Sequence, residues 1–241
     1  MAIYQRIILK LSGETLAPTS RTAPFDAERV AQTAKVLKAL HGTGVELGIV
    51  LGGGNIWRGR FTSDMNPVNA DQMGMLATII NALCLQDALV REGMDAKVFT
   101  AQEMNRFAAL YTAEAADAHL RGGGIALLSG GTGNPFFTTD TGAVLRAAEL
   151  RADAVFKGTN VEGVFDKDPN KFPDAQLIRR ITCEEAAQRG LRAMDITAFQ
   201  LCIDARIPVV RVFAMDDLGN ILKVANGDEM GTTLTNYSHR T

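Results

Sequence analysis

The centre of this 241-residue chain reads Ile125-Ala126-Leu127-Leu128-Ser129-Gly130-Gly131-Thr132-Gly133-Asn134-Pro135-Phe136-Phe137-Thr138-Thr139-Asp140, and a helical pattern over residues 141–150 follows. The apolar run at its start predicts a buried strand. Glycine lets the backbone turn sharply and approach a ligand closely, and a helix start offers unpaired N–H groups that favour phosphate. The stretch therefore predicts a phosphate-binding loop. The alternative is an ordinary turn in which Thr138 or Thr139 caps the helix.

Predicted strands alternate with predicted helices along the whole chain. The strands are residues 7–11, 45–51, 96–99, 125–128, 154–157, 177–181 and 208–213. The helices are residues 27–40, 68–91, 111–120, 141–150, 184–189, 194–205 and 216–224. This alternation predicts an α/β fold, a three-layer αβα sandwich around a mostly parallel sheet. No linker, low-complexity tract or internal repeat is visible, so we expect one domain over residues 1–241.

Charge and cysteine content restrict the class of protein. The net charge of −2 gives no general attraction to nucleic acid or to acidic membranes. The three cysteines, Cys84, Cys183 and Cys202, are far apart and include no Cys-x-x-Cys pair. This number and spacing argue against a disulfide framework and against a zinc site, and they favour a reducing compartment.

The sequence predicts neither a signal peptide nor a membrane span. Residues 1–6 lead directly into a strand-like run and lack the layout of a signal peptide. The longest apolar stretch, residues 73–89, is interrupted by Asn81, Gln86 and Asp87, so no stretch is expected to be long and apolar enough to span a membrane. We therefore expect a cytoplasmic protein without a membrane partner. The predicted helix 68–91 is apolar nearly all round, which indicates a subunit interface.

Three predicted strands end in glycine-rich turns, at residues 10–13, 52–55 and 130–133. The carboxyl ends of parallel strands meet at one edge of a sheet, where open α/β folds bind ligands. A lysine in a buried strand, such as Lys10, is costly unless it faces an anion, although an edge strand would leave its amine in water. Arg58 either binds a phosphate through its forked guanidinium or is solvated in a loop.

Several common catalytic motifs are absent from the sequence. It contains no Gly-x4-Gly-Lys-Ser/Thr loop, no complete Gly-x-Gly-x-x-Gly and no Gly-x-Ser-x-Gly elbow. His41, His119 and His239 are isolated, and neither a metal-ligand cluster nor a pair of nucleophile and base is visible. Three glycine turns with a lysine and an arginine suit two anionic ligands held side by side. That combination indicates phosphoryl transfer, which needs positioning and charge neutralisation.

Five segments together resemble bacterial uridylate kinases (UMP kinases), a group within the amino acid kinase superfamily. The segments are residues 10–14, 52–59, 71–78, 132–140 and 157–169. They occur in order along essentially the whole chain, and the run Thr132–Asp140 is highly specific to that family. The resemblance implies an amino acid kinase-like fold and transfer of the ATP γ-phosphate to UMP. The products would be UDP and ADP, with Mg²⁺ bound to the ATP, in pyrimidine nucleotide biosynthesis.

The resemblance also implies site residues, with the UMP site mainly in the N-terminal part of the chain and the ATP site mainly in the C-terminal part. It implies catalytic roles for Lys10, Arg58 and Asp140. The implied ATP-binding residues are Lys10, Leu11, Ser12, Gly13, Gly54, Arg58, Thr159, Asn160, Phe165 and Asp168. The implied UMP-binding residues are Gly53, Arg58, Asp71, Thr132, Gly133, Asn134, Pro135, Phe136, Phe137, Thr138 and Thr139.

Within these sets, each side chain suits a particular part of the two nucleotides. Lys10 would stabilise the charge that develops in transfer, and Asp140 would orient Lys10 or help to hold the metal. Arg58 suits the UMP phosphate, and Asp71 suits the ribose because a carboxylate accepts hydrogen bonds from two hydroxyls. For Asp71 the alternative is a structural carboxylate near a helix start. The expected uracil contacts are Thr132 and Asn134, with Phe136 or Phe137 as an apolar wall.

Two departures from the family pattern bear on substrate and regulation. Relatives that act on amino acids tend to carry a second lysine near residues 194–195, and its absence here favours a nucleotide acceptor. Residues 19–26 lack the Gly-x-Gly-Ile-like stretch that many uridylate kinases link to GTP activation, so GTP and UTP are only candidate effectors. The family also implies a homo-oligomer, commonly a hexamer.

Three functional alternatives fit the same scaffold. Another kinase of the superfamily would phosphorylate a carboxylate, a carbamate or an isoprenoid phosphate. A non-catalytic relative would bind nucleotides for storage or regulation, or would store metal oxide. The presence of Lys10, Arg58 and Asp140 together argues against a non-catalytic protein.

Residues 158–169 leave two alternatives open, a segment that closes over a nucleotide and a plain surface loop.

Overall fold

The computed structural model describes residues 2–58 and 65–236. Within them, nine strands form one sheet in the order β4-β3-β5-β2-β1-β6-β10-β11-β9. The strands of this sheet are β1 (Arg6–Leu11), β2 (Glu46–Leu51), β3 (Ala96–Thr100), β4 (Ala109–Leu110), β5 (Ile125–Ser129), β6 (Ala154–Thr159), β9 (Arg180–Thr182), β10 (Val209–Ala214) and β11 (Thr232–Thr235). All neighbouring pairs are parallel except β10 and β11, so the expected mostly parallel sheet is confirmed.

Helices cover both faces of this sheet. The helices are α1 (Ala27–His41), α2 (Pro67–Arg91), α3 (Ala113–Arg121), α4 (Thr139–Glu149), α5 (Cys183–Gln188), α6 (Ile196–Asp204) and α7 (Asn220–Ala225). Apolar residues of α1, α2 and α7 form one buried core, and those of α3, α4, α5 and α6 form the other. The predicted three-layer αβα arrangement is therefore confirmed.

Strand β1 is the centre of the molecule. It pairs with β2 on one side and β6 on the other, and Lys10 and Lys157 are partners in the register of β1 with β6. Ile7, Ile8 and Leu9 are fully buried, because the sheet is covered on both faces. The possibility that Lys10 lies on an edge strand is therefore excluded. Its side chain instead emerges where β1 approaches the carboxyl edge of the sheet.

Two predicted elements differ from the structure, and three short strands, among them β11, were not predicted. The predicted strand 177–181 is two strands: β8 (Leu177–Ile178) pairs with β7 (Val164–Phe165) in a separate sheet, and β9 joins the main sheet. The last helix begins at Asn220 instead of residue 216, since Asp217 accepts the Gly219 N–H in a turn. Strand β11 was missed because its sequence is mostly threonine and lacks an apolar run.

Helix α2 corrects one expectation. By length and composition it is long and apolar enough to span a membrane, whereas the sequence was expected to contain no such stretch. A core helix of a globular fold passes the same test, and α2 packs on α1, β3 and β5. Asn81, within its apolar run, is fully buried and donates to the Gly52 carbonyl at 2.7 Å. The polar interruption at Asn81 is thus a contact to the functional edge of the sheet.

Candidate active site

The turns after β1 and β2 are held together by a small polar cluster. Asn81 of α2 donates to the Gly52 carbonyl and to Oδ1 of Asn55, both at 2.7 Å, and Asn55 donates back to Asn81 Oδ1 at 3.0 Å. A Cβ at Gly13 would lie 2.1 Å from Asn55 Oδ1 and 2.5 Å from the Gly52 carbonyl oxygen. Only glycine fits at residue 13 without moving this cluster. Two of the three glycine-rich turns therefore lie against each other, as predicted.

Two lysines share one carboxylate at this edge. Lys10 Nζ lies 2.9 Å from Oδ1 of Asp140, and Lys157 Nζ donates to Oδ2 of the same side chain. The side chains of Lys10, Asp140 and Lys157 are only 15%, 12% and 13% exposed. Because two ammonium groups face one carboxylate, the cluster keeps a positive charge of one. An uncompensated buried charge is costly, so the cluster is prepared for an anionic ligand.

The charged groups of this cluster shift each other's pKa values. Burial alone would raise the pKa of Asp140, but the charges of Lys10 and Lys157 and the hydrogen bond from Lys157 outweigh it and lower the pKa. Burial lowers the pKa of Lys157; the Asp140 charge opposes this shift, and the Lys10 charge adds to it. Asp140 therefore stays ionised. Strongly perturbed groups beside a cavity are typical of functional sites.

A chain of hydrogen bonds fixes the position of Asp140. Thr138 caps α4 by accepting the Asp140 N–H at 3.0 Å and the Thr141 N–H at 3.2 Å. Asp195, the N-cap of α6, accepts from the hydroxyls of Thr138 and Thr141 and from the Ala198 N–H. The start of α4 is thus fastened to the start of α6. The sequence reading of Thr138 as a helix cap is confirmed.

These groups open onto a cavity of about 480 Å³. One side carries Lys10, Asp140 and Lys157, and the other side carries the segment between α5 and α6. The cavity lies at the carboxyl ends of β1 and β6, where the fold was expected to bind ligands. Its charged walls and its position make it the best-supported place for a phosphoryl group.

The loop that follows β5 is strained and is held by α2. Phe136 has φ +71°, a left-handed conformation that costs a bulky residue about 1–3 kcal/mol. Its N–H donates to Oδ2 of Asp71 at 2.7 Å, and the Gly130 N–H donates to Thr78 at 2.9 Å. Asp71 is therefore a support of this loop and is not limited to an interaction with the helix dipole. The loop residues 132–137 stand beside α2, and Phe136 is 73% exposed.

Arg58 lies between the first two turns. Its guanidinium forms an ion pair with Glu14, and its Nε donates to the Gly54 carbonyl at 2.9 Å. Glu14 also accepts from Arg21 at 3.1 Å, so one carboxylate serves two arginines. Gly59, the last residue of the segment 52–59, lies outside the described residues, as does His239.

The expected adenosine-binding residues are divided between two cavities. Thr159 and Asn160, together with Ser12, line a cavity of about 250 Å³. Phe165 and Asp168 line another, of about 440 Å³, formed by residues 161–172 and the segment after α5. The structure therefore does not bring all four of these residues into one cavity. Residues 158–169 carry a short β-strand and line a cavity on each side, so they are more than a plain surface loop.

Four residues of this edge were missed as site residues in the sequence. Lys157 ends an apolar strand much as Lys10 does, and the same argument about a buried lysine identifies it. The partners of Asp195 are 54 and 57 residues away in the chain, so no local pattern reveals it. Asn81 and Glu14 act on the turns through similarly distant contacts. Within residues 2–58 and 65–236, no group of three or more potential metal-ligating residues occurs.

This fold and this lysine–carboxylate cluster define a small-molecule kinase. The family model of the amino acid kinase family matches residues 5–211. The chain therefore belongs to the amino acid kinase family.

Particular relatives narrow the comparison. The chain is 47% identical over 238 residues to a uridylate kinase of Bacteroides thetaiotaomicron, covering 98% of this chain and 100% of the relative. A UMP kinase structure from Bacillus anthracis matches with a TM-score of 0.93 at 33% identity, covering 98% of this chain and 97% of that one. One from Ureaplasma parvum matches with 0.90 at 34% identity, covering 96% and 98%. The predicted resemblance to uridylate kinases is confirmed.

Proposed function

We propose that this chain is a uridylate kinase that transfers the γ-phosphate of ATP to UMP, giving UDP and ADP. The observation that carries the proposal is the cluster of Lys10 and Lys157 on Asp140, which opens onto a cavity at the carboxyl ends of β1 and β6. The similarity to uridylate kinases along almost the whole chain supports UMP as the acceptor. The product enters pyrimidine nucleotide biosynthesis.

In this mechanism the protein positions two nucleotides and neutralises charge. An oxygen of the UMP phosphate attacks the γ-phosphorus, and the bond from that phosphorus to the β–γ bridging oxygen breaks. Lys10 and Lys157 stabilise the negative charge on the transferring phosphoryl group and on the leaving oxygen. Asp140 holds both ammonium groups in place. The acceptor phosphate is already ionised near neutral pH, so no general base is required.

The acceptor half of the site has three main parts, which are Arg58, Asp71 and the loop that follows β5. Arg58 would release Glu14 and bind the UMP phosphate, which offers the same paired oxygens as a carboxylate. Asp71 uses one oxygen to hold Phe136, which leaves the other for a ribose hydroxyl. The remaining proposed UMP contacts are Gly53, Thr132, Gly133, Asn134, Pro135, Phe137, Thr138 and Thr139. The exposed Phe136 and Phe137 provide an apolar edge against which a uracil ring can pack.

The donor half takes ATP with Mg²⁺. Leu11, Ser12, Gly13 and Gly54 would face the phosphates, and the adenosine contacts would be Thr159, Asn160, Phe165 and Asp168. Mg²⁺ commonly binds through one or two carboxylates plus substrate phosphates. Asp140 fits this role, since its buried Oδ1 receives no well-aligned hydrogen bond from the described residues. When bound, the metal would neutralise phosphate charge while most of its ligands come from ATP and water.

We also infer a homo-oligomer, with a hexamer as the expected form, that works in the cytoplasm. Met73, Leu76 and Ile80 project from α2 at helical spacing and remain exposed. An exposed apolar stripe on a long helix fits burial against a second copy of the same helix. Sedimentation at micromolar concentration should give a mass above that of one chain, and a monomer under these conditions would contradict this assembly. GTP and UTP remain candidate effectors.

A phosphotransfer assay across acceptors tests the proposed function. ADP formation is measured with ATP, Mg²⁺ and one of UMP, CMP, acetylglutamate or isopentenyl phosphate. The expected result is rapid turnover with UMP and little with the others. Turnover with another acceptor and none with UMP would assign a different kinase of the superfamily, and turnover with none would favour a non-catalytic protein. Repeating the UMP assay with GTP and UTP tests both effectors.

A further inference from the structure

The segment between α5 and α6 separates two cavities and carries one charged residue that faces both. Gly190, Leu191 and Arg192 line the 480 Å³ cavity that contains Lys10, Asp140 and Lys157. The same three residues line the 440 Å³ cavity that contains Phe165 and Asp168. Arg192 thus stands at the junction of the two cavities.

The side chain of Arg192 is available for a ligand. It is exposed, and within the described part of the chain it has no hydrogen bond or ion pair. By contrast, Arg189 on the same segment pairs with Glu185, and Lys167 across the second cavity pairs with Asp174. Arg192 therefore lines both cavities and carries a charge that no described residue compensates through a hydrogen bond or an ion pair.

The backbone that carries Arg192 is firmly anchored. Leu191, Ala193 and Met194 on either side of it are 8%, 9% and 7% exposed and belong to the hydrophobic core. Asp195 then caps α6 and holds Thr138. An anchored backbone lowers the entropy lost when a long side chain is fixed on a ligand. An arginine that contacts only water would not need buried residues before and after it in the chain.

We propose that Arg192 binds the polyphosphate of the donor nucleotide where it passes from the cavity lined by Phe165 and Asp168 to the Lys10–Asp140–Lys157 cluster. This inference rests on the proposed function, because it takes ATP as the donor and these two cavities as its site. The planar guanidinium can bridge two phosphate oxygens, which a single ammonium cannot. Arg192 would then fix the path of the phosphate chain, while the two lysines act on the γ-phosphoryl group. It is a donor-binding residue and leaves UMP untouched.

The test compares Arg192→Gln with Arg192→Lys and with the control Arg206→Gln. Arg206 is also exposed and has no side-chain hydrogen bond or ion pair within the described residues, and it lies in the turn after α6. Binding of ATP is measured by calorimetry and binding of adenosine by competition. For R192Q we expect about tenfold weaker ATP binding, or about 1.4 kcal/mol, with adenosine binding and the KM for UMP within about twofold. Arg192→Lys should recover part of the loss, and Arg206→Gln should match the wild type.

Three results would overturn the inference. If R192Q binds ATP as tightly as the wild type does, Arg192 is solvated and does not bind the polyphosphate. If R192Q loses ATP and adenosine binding equally, Arg192 supports the shape of the cavity and does not contact the phosphates. If the wild type does not bind ATP, the inference has no donor nucleotide to rest on. If the wild type binds ATP but phosphorylates no acceptor, the proposed function fails while the comparison of ATP with adenosine still decides the role of Arg192.

Discussion

Strand β1 carries a buried cation near each end, and the two are treated differently. Arg6, at the amino end, pairs with Glu46 and with Asp117 and donates to the Leu150 carbonyl, while its own N–H is accepted by Asp153. Lys10, at the carboxyl end, has among the described residues only Asp140 as an ion-pair partner, and Asp140 also pairs with Lys157. The cation at the amino end of the strand therefore has several acceptors, whereas the cation at the carboxyl end shares one carboxylate with a second lysine.

This difference in charge compensation distinguishes a structural ion-pair cluster from a ligand site better than cavity volume does. The cavity beside Arg6 has about 680 Å³, against about 480 Å³ beside Lys10. The larger cavity is lined by three arginines and five carboxylates, so its net charge gives no physical reason for an anion to bind. The smaller one is lined by three cations, Lys10, Lys157 and Arg192, and by two carboxylates, Asp140 and Asp195, so it keeps a positive charge. Uncompensated charge near the carboxyl edge of the sheet therefore marks the site.

The largest predicted effect is at the uncompensated end. Lys10→Ala removes a cation that is expected to act on the transferring phosphoryl group, so turnover should fall about 10²–10³-fold. UMP affinity should stay nearly intact, because Arg58 and not Lys10 is proposed to bind the acceptor's own phosphate. Steady-state assays give kcat, and calorimetry gives the Kd for UMP.

The same substitution at Lys35, which is exposed on α1, is the control and should leave both quantities unchanged. An equal loss of UMP binding and turnover in the Lys10 variant would contradict a role confined to transfer. Unchanged turnover would remove the proposed catalytic centre.

At the amino end of β1, Arg6→Met should affect stability and spare the reaction. The substitution keeps the apolar volume but removes the cation from the Leu150 carbonyl and from the half-buried Glu46, and it leaves Asp117 with Arg121 alone. Breaking such a network is expected to cost about 2–3 kcal/mol of unfolding free energy. Urea denaturation measures the loss, and the KM values for both nucleotides should stay within about twofold.

Arg121→Met is the matched control for Arg6→Met, because Arg121 pairs with the same Asp117 at 2.9 Å but is well exposed. An exposed pair contributes less than about 1 kcal/mol. If both variants lose the same small amount of unfolding free energy, the cluster around Arg6 does not stabilise the fold as its contacts indicate. A large change in KM for Arg6→Met would make the amino end part of the functional site.

The sequence predicted the sheet and its glycine turns because these depend on local patterns. Lys10 was found since a lysine in an apolar run demands an anion, and Lys157 could have been found by the same argument. Asp195 and Asn81 could not, because their partners lie far along the chain and are brought near only by folding. Strand β11 is stabilised by pairing with β10, and its threonines carry no apolar signal of their own.

The smallest predicted effect concerns the proton of Lys157. Its folded pKa lies below the ordinary 10.5, first because it is buried. Between the folded pKa and 10.5 the unfolded chain binds more protons than the folded one, so the free energy of unfolding rises with pH in that window. Lys157→Met removes the titration. The stability of the wild type relative to this variant should therefore grow as pH rises towards 10.5, by less than the loss at Arg6.

Urea denaturation of both proteins over this alkaline range measures the trend, with Lys35→Met as the control for removing a lysine charge. A difference that stays flat with pH would mean that Asp140 compensates Lys157 as completely as its neighbours compensate Arg6. The contrast between the two ends of β1 would then rest on Lys10 alone. A difference that grows shows that Asp140 does not offset the burial of Lys157, which is the property that prepares this end of the sheet for a phosphoryl group.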